Sequence, residues 1–153
     1  MSAVIRRCLP SDAGEIRRLY DSESISDNFL YLPISESEAA DLFINDAAGV
    51  KKTVLGAFEG GELIGFAAGC VKDGKGFVTM LAVSADRRLS GVGSSLLSEI
   101  EGELGTGSCE MSFYDPTQLP WAVPGTDGKA MHNNSPGVDM ASPAYGFFSK
   151  RGY

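Results

Sequence analysis

The chain has 153 residues, a length that suits one domain with a sizeable hydrophobic core. Its hydrophobic content of 43% and charged content of 22% are those of an ordinary globular protein and argue against disorder. The formal net charge of −7 argues against nucleic acid as a partner, because a surface that follows a phosphate backbone needs clustered cations.

The N-terminal residues and the cysteines predict a cytoplasmic location. Residues 1–7 carry no long apolar run after their charges, so we expect no signal peptide. No apolar run in the sequence is long enough to span a bilayer, so we expect no membrane partner. Cys8, Cys70 and Cys109 are odd in number and lie in apolar, strand-like segments. We therefore expect reduced, buried thiols.

The first third of the chain predicts one strand and two helices. Residues 4–9 form the strand, and Pro10 with Asp12 is typical of a helix start. Three apolar residues share one face of this first helix: Ile16, Leu19 and Tyr20. Ser35 and Glu38 have the spacing of a capping box, which predicts a second helix that ends by Gly49.

Three strands joined by tight turns are predicted next. Apolar runs at residues 54–58 and 63–71 flank a Gly60-Gly61 pair, which is typical of a hairpin. Asp73-Gly74 predicts a second turn, and residues 77–83 predict the next strand. Strands that meander in this way before a helix indicate a mixed sheet with helices on its faces.

A basic, glycine-containing turn follows the strand at residues 77–83 and leads into an amphipathic helix. Gly91 and Gly93 lack a Cβ atom, so the amides of the turn can approach an anion closely. The helix start adds unpaired N–H groups and the positive end of its dipole, and Arg88 adds a forked cationic donor suited to pyrophosphate. The segment therefore predicts a phosphate-binding helix start, the alternative being a solvated turn before an ordinary helix.

This segment matches one known phosphate-binding motif and not two others. It lacks the Gly-Lys-Ser/Thr of a Walker P-loop and the three glycines of a dinucleotide fold. The spacing Arg88-x-x-Gly91-x-Gly93 resembles the Arg/Gln-x-x-Gly-x-Gly/Ala motif of the GNAT superfamily, the acetyl-CoA-dependent N-acetyltransferases. The preceding Leu-Ala-Val and the following Ser-x-Leu-Leu also match.

The resemblance implies an α/β (α+β) fold with a mixed, mostly antiparallel central sheet flanked by helices. It implies acetyl-CoA as cosubstrate, with the pyrophosphate on the loop amides and the pantetheine arm along a strand that splays from its neighbour at a bulge. No metal is expected. The cofactor-binding residues implied in this way are Leu81, Ala82, Val83, Arg88, Leu89, Ser90, Gly91, Val92, Gly93 and Ser94.

A fifth strand is predicted at residues 109–114, followed by a long loop at about residues 115–141 that is rich in proline and glycine. The loop resembles an insertion found in some tandem GNAT proteins, and we treat residues 1–153 as a single domain that contains it. Trp121 and Met140 are among the apolar residues expected to pack it down. His132, the only histidine, is a candidate general base, although a lone loop histidine is commonly a surface residue.

The last segment predicts a short helix, with Ser142 as N-cap, Pro143 in the first turn and Gly152 after its end. It resembles the second GNAT motif, whose tyrosine commonly protonates the departing CoA thiolate. Phe148 occupies that tyrosine position here. Tyr145, one turn earlier, is the nearest phenol able to act as the acid, and packing against the sheet is its alternative role.

Family members usually continue through two more strands, which implies that the C-terminal strands are missing from this sequence. We therefore expect either a fragment, such as the N-terminal half of a tandem GNAT protein, or a partner that completes the fold. That partner would be a second GNAT-like domain or a second copy of the chain.

The function predicted from the sequence is direct transfer of an acetyl group from acetyl-CoA to a primary amine of a small molecule or peptide. Tyr145 and His132 are the candidate catalytic residues. The alternative is a catalytically silent acyl-CoA-binding or scaffold domain of a larger two-domain protein, which the loss of the usual tyrosine favours.

Overall fold

The computed structural model describes residues 3–23, 30–112, 116–122 and 140–153. A 3₁₀ turn at Pro10–Asp12 precedes α1, a π-helical turn at Ala40–Ile44 extends α2, and a second 3₁₀ turn at Ala85–Arg87 follows β5. In chain order the strands and helices are β1 Val4–Arg7, α1 Ala13–Glu23, β2 Leu30–Tyr31, α2 Glu36–Ala39, β3 Val50–Glu59, β4 Glu62–Lys72, β5 Lys75–Val83, α3 Val92–Leu104, β6 Cys109–Met111, β7 Trp121–Ala122 and α4 Pro143–Ser149.

Five strands form one sheet in the order β1-β3-β4-β5-β6. The first four pair antiparallel, and β6 pairs parallel to β5. This confirms the predicted mixed, mostly antiparallel sheet. Successive side chains of a strand point to opposite faces, so Val54 joins a core that contains Ile16 of α1, whereas Leu55 joins a core that contains Leu96 of α3. The helices therefore cover both faces of the sheet.

Both predicted hairpin turns are confirmed by backbone geometry. Gly60 and Gly61 have φ angles of 60° and 90°, and Asp73 and Gly74 have φ angles of 51° and 75°. Two successive positive φ angles give the twist that joins antiparallel strands without splaying them. The strands are longer than predicted because pairing continues into charged residues. The last pair joins Val50, the first residue of β3, to Lys72, the last residue of β4.

The second helix begins with the capping box predicted from its sequence. Ser35 Oγ accepts the Glu38 N–H at 3.1 Å, and Glu38 Oε2 accepts the Ser35 N–H at 2.6 Å. Two backbone N–H groups at the start of the helix are thereby satisfied. The π-helical turn ends at Ile44, before Gly49 as expected.

A small ribbon formed by β2 and β7 was not predicted. Tyr31 pairs with Trp121 and Leu30 with Ala122, which brings the first part of the long loop onto the core. Trp121 is buried as expected. The expectation for Met140 was wrong, because this residue is 74% exposed.

None of the helices in the described ranges has the length and apolar character needed to cross a bilayer.

The junction between β1 and α1 depends on the Asp12 carboxylate. Arg6 donates two hydrogen bonds to it, from Nη1 at 2.8 Å and from Nη2 at 2.9 Å, and the Leu9 N–H donates a third at 2.8 Å. The hydrogen bond from Arg6 is the main reason that the pKa of Asp12 lies below its usual range, against the opposing effect of burial.

We expect Asp12→Asn to lower the free energy of unfolding by roughly 1 kcal/mol at neutral pH. Because the pKa of Asp12 is lower in the folded state, its stabilising effect is complete above the unfolded pKa of about 3.9 and is lost as the pH falls through the folded value. Urea unfolding at neutral pH and in acid tests this, with exposed Glu99→Gln as the control. A difference between Asp12→Asn and the native chain that stays constant into acid contradicts it.

Candidate functional site

The outer edge of β5 lies beside β6 at its start. β6 pairs with β5 at residues 76–78, and one further bond runs from the Ser112 N–H to the Val78 carbonyl at 3.0 Å. Beyond Val78, no strand in the described part of the chain pairs with this edge, and residues 113–115 lie outside that part. The splaying of β5 from its neighbour therefore stays a prediction for the half that contains residues 81–83.

A bulge in β5 follows Val78, the last residue of β5 in the described pairing with β6. Ala68 of β4 pairs with Met80, and the next residue, Gly69, pairs with Val78. Thr79 is therefore an extra residue in β5, and it is buried. A bulge increases local twist and re-aims the residues that follow it.

Hydrogen bonding alternates along β5, which fixes the direction of its backbone groups. The Ser84 N–H donates to the Ile64 carbonyl at 2.9 Å, so Ser84 and, by alternation, Ala82 face β4. Leu81 and Val83 therefore direct their N–H and C=O groups away from β4, to the outer edge of β5. The backbone groups of Ala82, the third residue expected along the pantetheine arm, face β4 and lie within the sheet.

The chain leaves β5 through a turn that opens the start of α3. Leu89 has a φ of 62° and is fully exposed, and Gly91, the N-cap of α3, has a φ of 91°. No side chain caps this helix and no acidic residue lies in its first turn. A Cβ atom built on Gly91 would meet no atom within 4 Å, so the space over the turn is open.

The two glycines of the motif have different roles. The left-handed backbone at Gly91 strains any residue with a side chain. Gly93 lies inside the first turn of α3, where an added Cβ atom would lie 3.6 Å from Val83 Cγ2 and 3.8 Å from the Phe147 ring. These are ordinary contacts, so only Gly91 is required by the fold.

Arg88 is held in place by contacts on two sides. Its Nη2 donates to Glu23 Oε2, and its Nε donates to the Val83 carbonyl at 3.2 Å. The other oxygen of Glu23 accepts the Ala85 N–H at 3.3 Å. Glu23 thus connects the end of α1 to the turn, a role that no local sequence pattern signals across 65 residues.

Arg87 is likewise paired with acids. It bonds Glu59 at 2.8 Å and Asp86 at 2.9 Å. The hydrogen bond that Arg87 donates to Glu59 is the main reason that the pKa of Arg87 is raised. Arg87 is therefore engaged on the side of the turn that faces the β3–β4 hairpin.

Arg151, which no motif in the sequence indicated, also reaches the first turn of α3. Its Nη2 donates to Ser94 Oγ at 2.6 Å and its Nη1 donates to the Phe147 carbonyl at 2.8 Å. The guanidinium lies over the Phe147 ring, 3.7 Å from its centroid. The spacing of four residues between Phe147 and Arg151 is the signal that could have identified this pair.

The C-terminal helix carries the predicted acid on its exposed side. Ser142 Oγ accepts the Tyr145 N–H at 3.2 Å, which confirms the N-cap, and the Tyr145 side chain is 40% exposed. Phe148 packs edge-on against Phe147 at 5.1 Å and against Tyr153 at 5.8 Å between ring centroids. A catalytic role for Tyr145 stays a prediction. His132 lies outside the described residues.

Comparison with protein families gives a match over most of the chain. The sequence model of the Acetyltransferase (GNAT) family matches residues 16–114, which include most of α1, the strands β3 to β6, the turn at Gly91 and α3. No curated protein matches the chain.

Solved structures share the fold. An acetyltransferase of the GNAT family from Desulfovibrio desulfuricans matches 99% of this chain and 84% of its own, with 20% identity and a TM-score of 0.63. The PaiA N-acetyltransferase from Thermoplasma acidophilum, solved with coenzyme A, matches 99% of this chain and 89% of its own, with 17% identity and a TM-score of 0.65. A tandem GNAT protein from the clavulanic acid biosynthesis pathway matches 98% of this chain and 43% of its own, with 13% identity and a TM-score of 0.64.

The two glycines of the turn offer a matched pair of substitutions. We expect Gly91→Ala to lower the free energy of unfolding by about 1–2 kcal/mol, because alanine is strained at a φ of 91°. Gly93→Ala, which adds the same methyl group inside the helix where space exists, should leave stability unchanged or raise it by up to about 1 kcal/mol. Chemical unfolding of both variants measures the contrast, and equal effects would contradict this assignment.

Proposed function

Because this chain belongs to the Acetyltransferase (GNAT) family, we propose that it transfers an acetyl group from acetyl-CoA to a primary amine of a small molecule or peptide. Family membership supports acetyl transfer in general. The observation that carries the finer proposal is the direct connection between the outer edge of β5, to which Leu81 and Val83 direct their backbone groups, and the uncapped start of α3.

The two parts of this surface fit the two parts of coenzyme A. The pantetheine arm contains amide groups, which match the outward N–H and C=O groups of Leu81 and Val83. The pyrophosphate is anionic and matches the amides of the turn from Leu89 to Ser94 and the positive end of the α3 dipole. Arg88, anchored by Glu23, lies beside this turn.

The proposed reaction needs a general base, a general acid and a hydrogen-bond donor for the carbonyl oxygen. The amine nitrogen forms a bond to the thioester carbonyl carbon and loses a proton, while the carbon–sulfur bond breaks and the sulfur gains a proton. An outward N–H of β5 would polarise the carbonyl oxygen. We propose Tyr145 as the acid that protonates the sulfur, and His132 stays the candidate base.

A second candidate function is a catalytically silent acyl-CoA-binding or scaffold domain within a larger two-domain protein. The observation that favours it is Phe148, which packs between Phe147 and Tyr153 at the position where the family motif carries a tyrosine. A second GNAT-like domain, or a second copy of the chain, is the partner we propose in either case. The free cysteines, two of them buried, support a cytoplasmic location.

Thiol release from acetyl-CoA distinguishes the two candidate functions. We expect the purified chain to release free CoA when polyamines, amino acids or aminoglycosides are offered, and to bind CoA in calorimetry. Binding without thiol release for any amine would favour the silent domain. Absence of CoA binding would contradict both functions.

The role of Tyr145 is tested by removing only its hydroxyl group. Tyr145→Phe should preserve CoA affinity, because the ring is retained, while turnover falls by at least about tenfold if the phenol is the general acid. Phe148→Tyr, which restores the motif tyrosine, is the companion variant and should raise turnover. Full activity of Tyr145→Phe with an amine for which chemistry is rate-limiting would exclude Tyr145 as the acid.

A further inference from the structure

We propose that Arg151 is a ligand of the coenzyme A pyrophosphate, an inference that rests on the proposed function. Its guanidinium lies at the first turn of α3, bonded to Ser94 Oγ at 2.6 Å. Ser94 belongs to the turn whose amides are proposed to receive the pyrophosphate. The contact with Ser94 thus places Arg151 beside the proposed pyrophosphate position, and it involves neither Gly91 nor Gly93.

The position of Arg151 is electrostatically unfavourable without an anion. The N-terminus of a helix carries the positive end of its dipole, which repels a cation. The first turn of α3 holds no acidic residue that would offset this repulsion. Arg151 is nevertheless kept there by the Ser94 hydroxyl, the Phe147 carbonyl and the Phe147 ring. An anion bound over the turn would stabilise both the helix dipole and the guanidinium.

The other two arginines near the turn are already matched by carboxylates. Arg88 pairs with Glu23, and Arg87 pairs with Glu59 and Asp86. Arg151 forms no ion pair with any acid in the described ranges, although it is an exposed cation in a chain of net charge −7. Its positive charge is therefore not held in an ion pair, and the Glu101 carboxylate, which lines the same surface cavity as Arg151, accepts a hydrogen bond from the Tyr153 hydroxyl at 2.6 Å.

The geometry of the guanidinium suits a phosphate. A guanidinium has five N–H donors, and the contacts to Ser94 and Phe147 use two of them, which leaves three. Stacking on the Phe147 ring fixes the plane of the group, so less side-chain freedom is lost when an anion binds. The same ring lies beside Gly93, which keeps the guanidinium close to the turn.

Calorimetry with CoA and with 3′-dephospho-CoA tests the proposal on four proteins: the native chain, Arg151→Gln, Arg151→Lys and Lys150→Gln. We expect Arg151→Gln to bind both ligands about tenfold more weakly, since a charge-assisted contact is lost. Arg151→Lys keeps the charge without the fork and should fall between. Lys150→Gln removes the same charge from the neighbouring residue and should change affinity less than about twofold.

The outcomes separate this inference from the function on which it rests. Failure of the native chain to bind CoA would refute the proposed function and this inference with it. Native binding with unchanged affinity in Arg151→Gln would refute the role of Arg151 alone. A loss seen with CoA but not with 3′-dephospho-CoA would refute the pyrophosphate assignment. Thermal unfolding checks that the variants are folded, and if Arg151→Gln is not, native affinity in folded Arg151→Lys refutes the forked contact.

Discussion

The hydrogen bonding of β5 to β4 is the constraint on which the candidate site depends, because it directs the backbone groups of Leu81 and Val83 away from β4. The bulge at Thr79 sets this alternation for the residues that follow it. The Val83 carbonyl, which faces away from β4, accepts Arg88 Nε. One register shift in the sheet thus directs the outer backbone groups of β5 and provides the acceptor that anchors the turn before α3.

Arg87 and Arg88 act mainly by fixing the orientation of this turn. Arg88 and Arg87 are each about half exposed, and ion pairs of that kind contribute little to the free energy of unfolding. Their effect is to hold the turn against the end of α1 and the β3–β4 hairpin. The turn can therefore keep Leu89 and Gly91 in left-handed conformations without an internal capping side chain.

Strong local patterns made most of the fold predictable. α3 was predicted because apolar residues recur at helical spacing, and the hairpins because Gly60 and Gly61 tolerate positive φ angles. The β2–β7 ribbon was missed because two-residue strands have no measurable periodicity. In the site, the motif at Gly91 was visible locally, whereas the contacts of Glu23 and Arg151 join residues 65 and 57 positions apart. Such contacts follow from the packing of whole elements and leave no trace in a short window.

The β2–β7 ribbon also has a consequence for how the chain folds during synthesis. Tyr31 belongs to a buried aromatic group with Tyr20 and Phe43, and Trp121 completes the same cluster from 90 positions later. A ribosome that has released α1 to β5 has not yet released the residue that covers this apolar surface. Contacts at such sequence separation form slowly, and the surface they will bury is exposed to other chains until then. The nascent chain is therefore most vulnerable to aggregation before Trp121 emerges, even though the strands of the five-stranded sheet have already been synthesised.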